Sequence, residues 1–191
     1  MAIVVPADEA DLIGVIVNDH RSVEGVLAEL IAGGGEARHR RDLADHLTTE
    51  LVRHSMAEEQ YLFPAARRAL PDGDQVADRE IEAQADVERI LKDLEGVDPD
   101  DRVFDRLVGR LYVEVLDHVQ AEERDLLPRL RAACDPQELR ELGREVTRAS
   151  RSAPTCPHPA AADETPADRV LPGGTGMIDR LRDAMTGSDH S

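Results

Sequence analysis

Two stretches of this chain set histidine and glutamate at a spacing that can share a metal ion. One is ELVRHSMAEEQYLFPAARRAL, Glu50 to Leu70, and the other is EVLDHVQAEERDLLPRLRAAC, Glu114 to Cys134. A shift of 64 positions lays one on the other, pairing Glu50 with Glu114, His54 with His118, Glu58 with Glu122, Glu59 with Glu123 and Pro64 with Pro128. On a helix, a histidine and the glutamate four residues later stack on one face about one turn apart. An imidazole nitrogen and a carboxylate oxygen presented in this way are ligands for a cation of intermediate hardness.

The same shift uncovers a weaker echo upstream. Asn18 to Leu30, NDHRSVEGVLAEL, lies over Glu82 to Leu94, EAQADVERILKDL, so that Val23, Glu24, Leu27 and Leu30 meet Val87, Glu88, Leu91 and Leu94. His20 falls on Gln84. The chain therefore reads as two helix pairs of one design, with one of four expected histidines replaced by an amide.

The elements that must position these groups follow from the apolar period. Leu12, Ile16, His20, Val23, Leu27 and Leu30 form one stripe of a first helix over 8–32, stopped by Gly33, Gly34 and Gly35. A second helix over 36–70 carries Leu43, Leu47, Leu51, His54 and Glu58, and Pro64 is expected to bend it near its end. A third, over 74–95, carries Ala77, Glu80, Gln84, Val87, Leu91 and Leu94 inward and closes at Gly96. Asp98, Pro99 and Asp101 announce a fourth helix to about 133, with Phe104, Val108, Leu111, Val115, His118, Glu122 and Leu126 on its stripe; Asp135, Pro136 and Glu138 announce a short fifth to about 149. Short connections predict an all-α, antiparallel up-down-up-down four-helix bundle over 1–149. Residues 150–191 change composition to Pro, Ala, Gly and small polar residues and read as a flexible tail ending in a short amphipathic segment, MIDRLRDAM at Met177 to Met185, suited to docking on the bundle or on a protein partner.

Composition agrees. Aromatic residues make up 2%, so the core must be aliphatic, which favours helices over a sheet sandwich. With 23 Lys and Arg against 40 Asp and Glu, the net charge is -17, and a nucleic-acid backbone would be repelled. No stretch approaches the roughly 20 apolar residues that span a bilayer, and the N-terminus lacks a signal peptide's basic start and cleavage site, so a cytoplasmic protein with no membrane contact is expected. Cys134 and Cys156 lack CxxC spacing and are expected to be reduced.

Imidazole and carboxylate in an apolar stripe cost free energy unless they are paired or bind a metal. The inward set is His20, His54, Glu58, Glu80, Gln84, His118 and Glu122, drawn from all four helices. Any one buried histidine is more often a hydrogen-bonded core residue than a ligand, but the coincidence of the whole set favours a metal site. Without thiolate the candidates are iron, manganese or zinc, and the set exceeds the needs of one ion. Two ions bridged by Glu58 and Glu122 would use it.

The order HxxxE, on a lead helix with Asp19 and His20 and then twice as HxxxEExxLxP, resembles the haemerythrin-like, or HHE cation-binding, family over about residues 8–135. The resemblance implies a bundle around two non-haem irons, oxo- or hydroxo-bridged and carboxylate-bridged, that handles oxygen (O2), nitric oxide (NO) or peroxide, or senses iron and oxygen. It implies His20, His54, Glu58, His118 and Glu122 as ligands, with Gln84 standing where the family has histidine. Invertebrate oxygen carriers place two histidines where this chain has Glu80 and Gln84, which argues against a plain carrier. Their last carboxylate corresponds to Glu123; Glu122 is preferred because it matches Glu58 and lies on the stripe.

Glu80, one turn before Gln84, is a candidate ligand that would make the centre richer in carboxylate. Tyr61 shares the expected face of His54 and Glu58 and is a candidate phenol beside the metal, although core filling is its commoner role. Glu50 and Glu114 are candidate acceptors for the histidine ring N–H groups, or ordinary surface acids. Besides oxidative or nitrosative stress handling, which would make a catalase, peroxidase or NO-handling enzyme conceivable, two other readings fit: an iron or redox sensor acting through a partner, and a structural bundle without catalytic metal.

Overall fold

The structure, a computed structural model, describes residues 10–152. The amphipathic segment at Met177 to Met185, Cys156, His158 and His190 lie outside them. Within them the chain is helical: α1 Leu12–Ile31, α2 Ala37–Ala57, a π turn Glu58–Leu62, α3 Phe63–Ala69, α4 Gly73–Leu94, α5 Arg102–Ala121, a second π turn Glu122–Leu126, α6 Leu127–Ala133 and α7 Pro136–Ser152. The π turns join α2 to α3 and α5 to α6, so the helices expected over 36–70 and 99–133 each run on through one wide turn. Four long rods form the antiparallel bundle, and α7 packs on α1.

Local chemistry sets the boundaries. Asp11 caps α1 by accepting from the Gly14 N–H, and Gly33, Gly35 and Gly96 take the positive φ that ends α1 and α4. Asp135 accepts from the Gln137 N–H ahead of Pro136, as expected. The start of α5 differs from expectation: Asp98 and Pro99 lie in a turn, and Asp101 is the cap, accepting from the Val103 N–H. The cause is an arginine pair on α2. Arg40 donates to the Pro99 carbonyl and to Asp105, Arg41 donates to the Val97 carbonyl, and their guanidinium groups sit 4.9 and 5.4 Å from the Phe104 ring centre. These contacts hold the 95–101 loop open as a turn.

Pro64 also acts differently from the expected late bend. It occupies the first turn of α3, and the departure from α geometry lies upstream, where the Phe63 N–H bonds to the Glu58 carbonyl five residues back. In the other copy the Leu127 N–H bonds to the Glu122 carbonyl in the same way, just before Pro128. At the end of each wide turn two successive residues are buried, Leu62 with Phe63 and Leu126 with Leu127.

The apolar interior forms two clusters along the bundle. One gathers Val23, Leu27, Leu30, Leu47, Leu51, Val87, Leu94, Phe104, Leu111 and Val115; the other gathers Leu12, Ile16, Leu62, Phe63, Val76, Leu126, Leu130, Leu139 and Val146. Along every long rod the inward histidines, acids and amide fall between residues of the first cluster and residues of the second. Among the described residues no helix is long and apolar enough to cross a membrane.

The α7 contact is tight. A Cβ on Gly143 would lie 2.5 Å from the Ala10 carbonyl oxygen and 2.7 Å from the Asp11 carbonyl carbon, both backbone atoms. Gly143→Val should therefore lever α7 from α1 and destabilise the fold by about 1–3 kcal/mol, the usual cost of overpacking. Thermal unfolding against Gly109→Ala, where an added Cβ meets nothing within 4 Å, provides the check.

Candidate metal centre

His20, His54, Glu58, Glu80, Gln84, His118 and Glu122 are all buried, in the one layer between the apolar clusters. His20, His54, Glu58 and Glu122 each bring a donor atom within 4.8 Å of the others, and so do Glu80, His118 and Glu122. Glu122 belongs to both groups. The imidazole rings of His20 and His54 stand edge to face with centroids 4.8 Å apart, and those of His54 and His118 are 6.3 Å apart. Each HxxxE pair meets as its spacing requires: His54 Nε2 is 3.0 Å from Glu58 Oε1, and His118 Nε2 is 4.0 Å from Glu122 Oε1.

The donor atoms are short of hydrogen-bond partners. His20 Nε2, both ring nitrogens of His54 and His118, Glu58 Oε1, Gln84 Oε1 and both Glu122 oxygens are buried without a hydrogen bond. Each group left so costs about 1–3 kcal/mol, and a whole layer of them approaches the net stability of a domain, roughly 5–15 kcal/mol. A bound cation answers to this set, because it takes lone pairs from imidazole and carboxylate at once. The two groups contain no thiolate.

The ionisable groups of the layer act on one another at close range. Burial alone would raise the Glu58 carboxyl, but His54 and His118 outweigh it and hold Glu58 well below the carboxylate range. Burial, reinforced by the neighbouring Glu58 charge, pushes Glu122 up to about 7. Burial would lower His118, yet Glu122, Glu58 and Glu80 together hold it well above the usual imidazole value, and His54 is raised chiefly by Glu58 against its burial. The layer thus keeps protons where a cation would otherwise sit.

The supporting residues fall less evenly. Gln84 donates its amide N–H to Glu58 Oε2, leaving its carbonyl oxygen unpaired. Tyr61 is not brought to the layer. It packs with the second apolar cluster beside α7, and burial and the Glu145 carboxylate push its phenol up, so it stays protonated. The π turn is the reason, because its wider step carries Tyr61 off the face of Glu58 and brings Leu62 on. Glu50 accepts from Arg53 and Ser22 rather than from a ring N–H, and Glu114 is exposed on α5. Glu24 accepts from Arg21. Two neighbours were missed by the stripe. Asp19, half-buried, feels the charges of His54 and His20, and Glu123 lies 2.9 Å from His20 Nδ1. The adjacency of Asp19 to His20 and the doubled EE of each motif were the available signals.

These shifts set the sign of a pH effect. Ligation needs Glu122 ionised and the histidines neutral, whereas Glu122 is pushed up to about 7 and His118 and His54 are held above the usual imidazole value. Affinity for a divalent ion should fall about tenfold or more from pH 8 to pH 6, since each proton displaced contributes up to about tenfold per pH unit. Competition against a chromophoric chelator across that range checks it.

Residues 11–130 match the family described as Hemerythrin HHE cation binding domain. Over 137 residues the chain is 26% identical to an uncharacterized hemerythrin-like protein of Schizosaccharomyces pombe, covering 71% of this chain and 68% of that protein. It is 27% identical over 117 residues to a DNA nickase of Nostoc, a match that covers 61% of this chain but 32% of that longer protein. The fold is similar to the crystal structure of a hemerythrin HHE cation binding domain-containing protein from Mycobacterium kansasii, with a TM-score of 0.66 at 20% identity, covering 74% of this chain and 86% of that one. With the family match spanning the bundle and its buried His and Glu layer, this chain belongs to the hemerythrin HHE cation-binding family.

Proposed function

We propose that the bundle holds two non-haem iron ions, bridged by Glu58 and Glu122, and uses them to bind or reduce a small ligand such as O2, NO or peroxide. The observation that carries this reading is the layer of converging, unpartnered imidazole and carboxylate atoms, richer than one ion needs. His20 and His54 would serve one ion, and His118 the other. An iron pair supplies electrons to, or takes them from, a bound small molecule. The protein's part is to fix the ligands from four rods, to keep the layer dry between two apolar clusters, and to leave one side less fully ligated.

That side is the one with His118. Gln84 stands at the repeat position of His20 and points its amide N–H at Glu58 rather than offering an imidazole. A ligand position freed there, next to an N–H donor, is where a small oxygen- or nitrogen-containing molecule would be received. Tyr61 has no part in this, since it faces α7.

Protein prepared without chelator should contain about two irons per chain and show near-ultraviolet and visible bands that change on adding peroxide. One iron, a different metal or spectral indifference to peroxide would refute the pair. Gln84→His should slow the loss of one of the two irons to a chelator, whereas His20→Ala should remove at least one iron from the purified chain; elemental analysis reads both.

A further inference from the structure

We propose that Glu123 and Glu80 are positioning residues that fix which ring nitrogen His20 and His118 present to the centre, each anchored by a surface arginine. The inference rests on the metal-site reading above and concerns residues that reading leaves without a role or counts as ligands.

On one side, His20 turns Nδ1 toward Glu123 Oε1, 2.9 Å away, and Nε2 toward Glu122 Oε2, 3.3 Å away, and Glu58 Oε1, 4.0 Å away. The other Glu123 oxygen accepts from Arg21 at 2.6 Å. On the opposite side, His118 places Nδ1 3.2 Å from Glu80 Oε2, at ion-pair distance but without hydrogen-bond alignment, and Nε2 3.7 Å from Glu58 Oε2 and 4.0 Å from Glu122 Oε1. Glu80 Oε1 accepts from Arg79 through Nε at 3.2 Å and Nη2 at 3.0 Å. Arg21 and Arg79 are both more than half exposed, while Glu80 is buried. Two chains of groups thus run from solvent to the layer in the order Arg, Glu, His.

An ionised carboxylate only accepts hydrogen bonds, so an outer glutamate selects the form of its histidine that carries the proton on Nδ1. The lone pair is then on Nε2, facing the two central carboxylates. The arginine aims the outer glutamate. Glu80 lies on the Nδ1 side of the His118 ring, and the pair formed by Glu58 and Glu122 lies on the Nε2 side. A Glu80 oxygen also comes within 4.8 Å of Glu122, so positioning and ligation by Glu80 are separated by the variants below.

The two chains are not copies made by the repeat. Under the 64-residue shift Arg79 and Glu80 fall on Val15 and Ile16, and Arg21 falls on Ala85. The same Arg, Glu, His sequence is reached by different residues on the two sides, as expected when the imidazole rather than ancestry imposes the need.

The test uses the full chain loaded with zinc, which is diamagnetic, with 15N-labelled histidine. The wild type should show two protected downfield Nδ1–H resonances. Glu123→Ala should remove that of His20 and Glu80→Ala that of His118, each with a roughly 10- to 100-fold loss of affinity in chelator competition. Glu123→Gln and Glu80→Gln, which keep an acceptor oxygen, should retain the resonance and recover affinity to within a few-fold. Loss of zinc in Glu80→Gln as complete as in Glu80→Ala, with the Nδ1–H intact, would make Glu80 a ligand and overturn the proposal, as would unaltered spectra and affinity in both alanine variants. If the alanine variants fail to fold, Arg79→Gln and Arg21→Gln decide by weakening the same resonances or leaving them unchanged, the latter overturning the proposal. A wild-type chain that takes up neither zinc nor iron would instead defeat the metal-site reading itself, before any variant is compared.

Discussion

A single constraint governs this bundle: lone pairs from all four rods meet in one layer with too few protons and hydrogen bonds to satisfy them. The apolar residues on either side do not form one continuous core but two clusters, and the polar layer separates them. Each cluster follows the helical period and would pack in any bundle. What keeps the layer in register is the demand its own donors make on whatever lies between them, whether protons shared among His54, Glu58, His118 and Glu122 or a cation.

The remaining contacts make sense as ways of holding that layer level. The arginine pair on α2 closes the far end by gripping the loop before α5 and stacking on Phe104, one of two phenylalanines in the chain. At the near end, α7 lies against α1, close enough that Gly143 has no room for a side chain. Both fix the axial position of a rod that carries a donor. A displacement of one helical residue, about 1.5 Å, is enough to spoil a coordination sphere.

Much of this could be read from the chain. The histidines and glutamates were found by their repeat and by their place in apolar stripes, and the structure brings the whole inward set together. Helix stops at Gly33, Gly35 and Gly96 were equally legible, because positive φ is a property of the residue itself. What escaped depended on geometry that the 3.6-residue period does not contain. Tyr61 was a candidate for the site by its count of three residues from Glu58, with core filling as its commoner role, and beyond the π turn it takes the core role. Counting left Glu50 and Glu114 open between imidazole partners and ordinary surface acids; Glu50 pairs with Arg53 and Glu114 faces out. Glu123 touches His20 across the bundle, between residues 103 positions apart; the doubled EE marks the carboxylate, but its partner is set by the packing of the rods.

The π turns have a further consequence, for anyone who would rebuild this molecule. Each amounts to one surplus residue lodged in an otherwise regular rod, at Glu58–Leu62 and again at Glu122–Leu126. An idealised scaffold made only of straight α-helices would discard both. The residues beyond each turn would then swing by about a quarter of a revolution, since one residue is worth roughly 100° on a helix of 3.6 residues per turn. Phe63 and Leu127, with the residues that follow them, would leave the direction they now share with Glu58 and Glu122, and the second cluster would have to be redrawn. Regularity, usually a virtue in a designed bundle, is here incompatible with keeping the glutamates and the hydrophobic floor beneath them on the same rod.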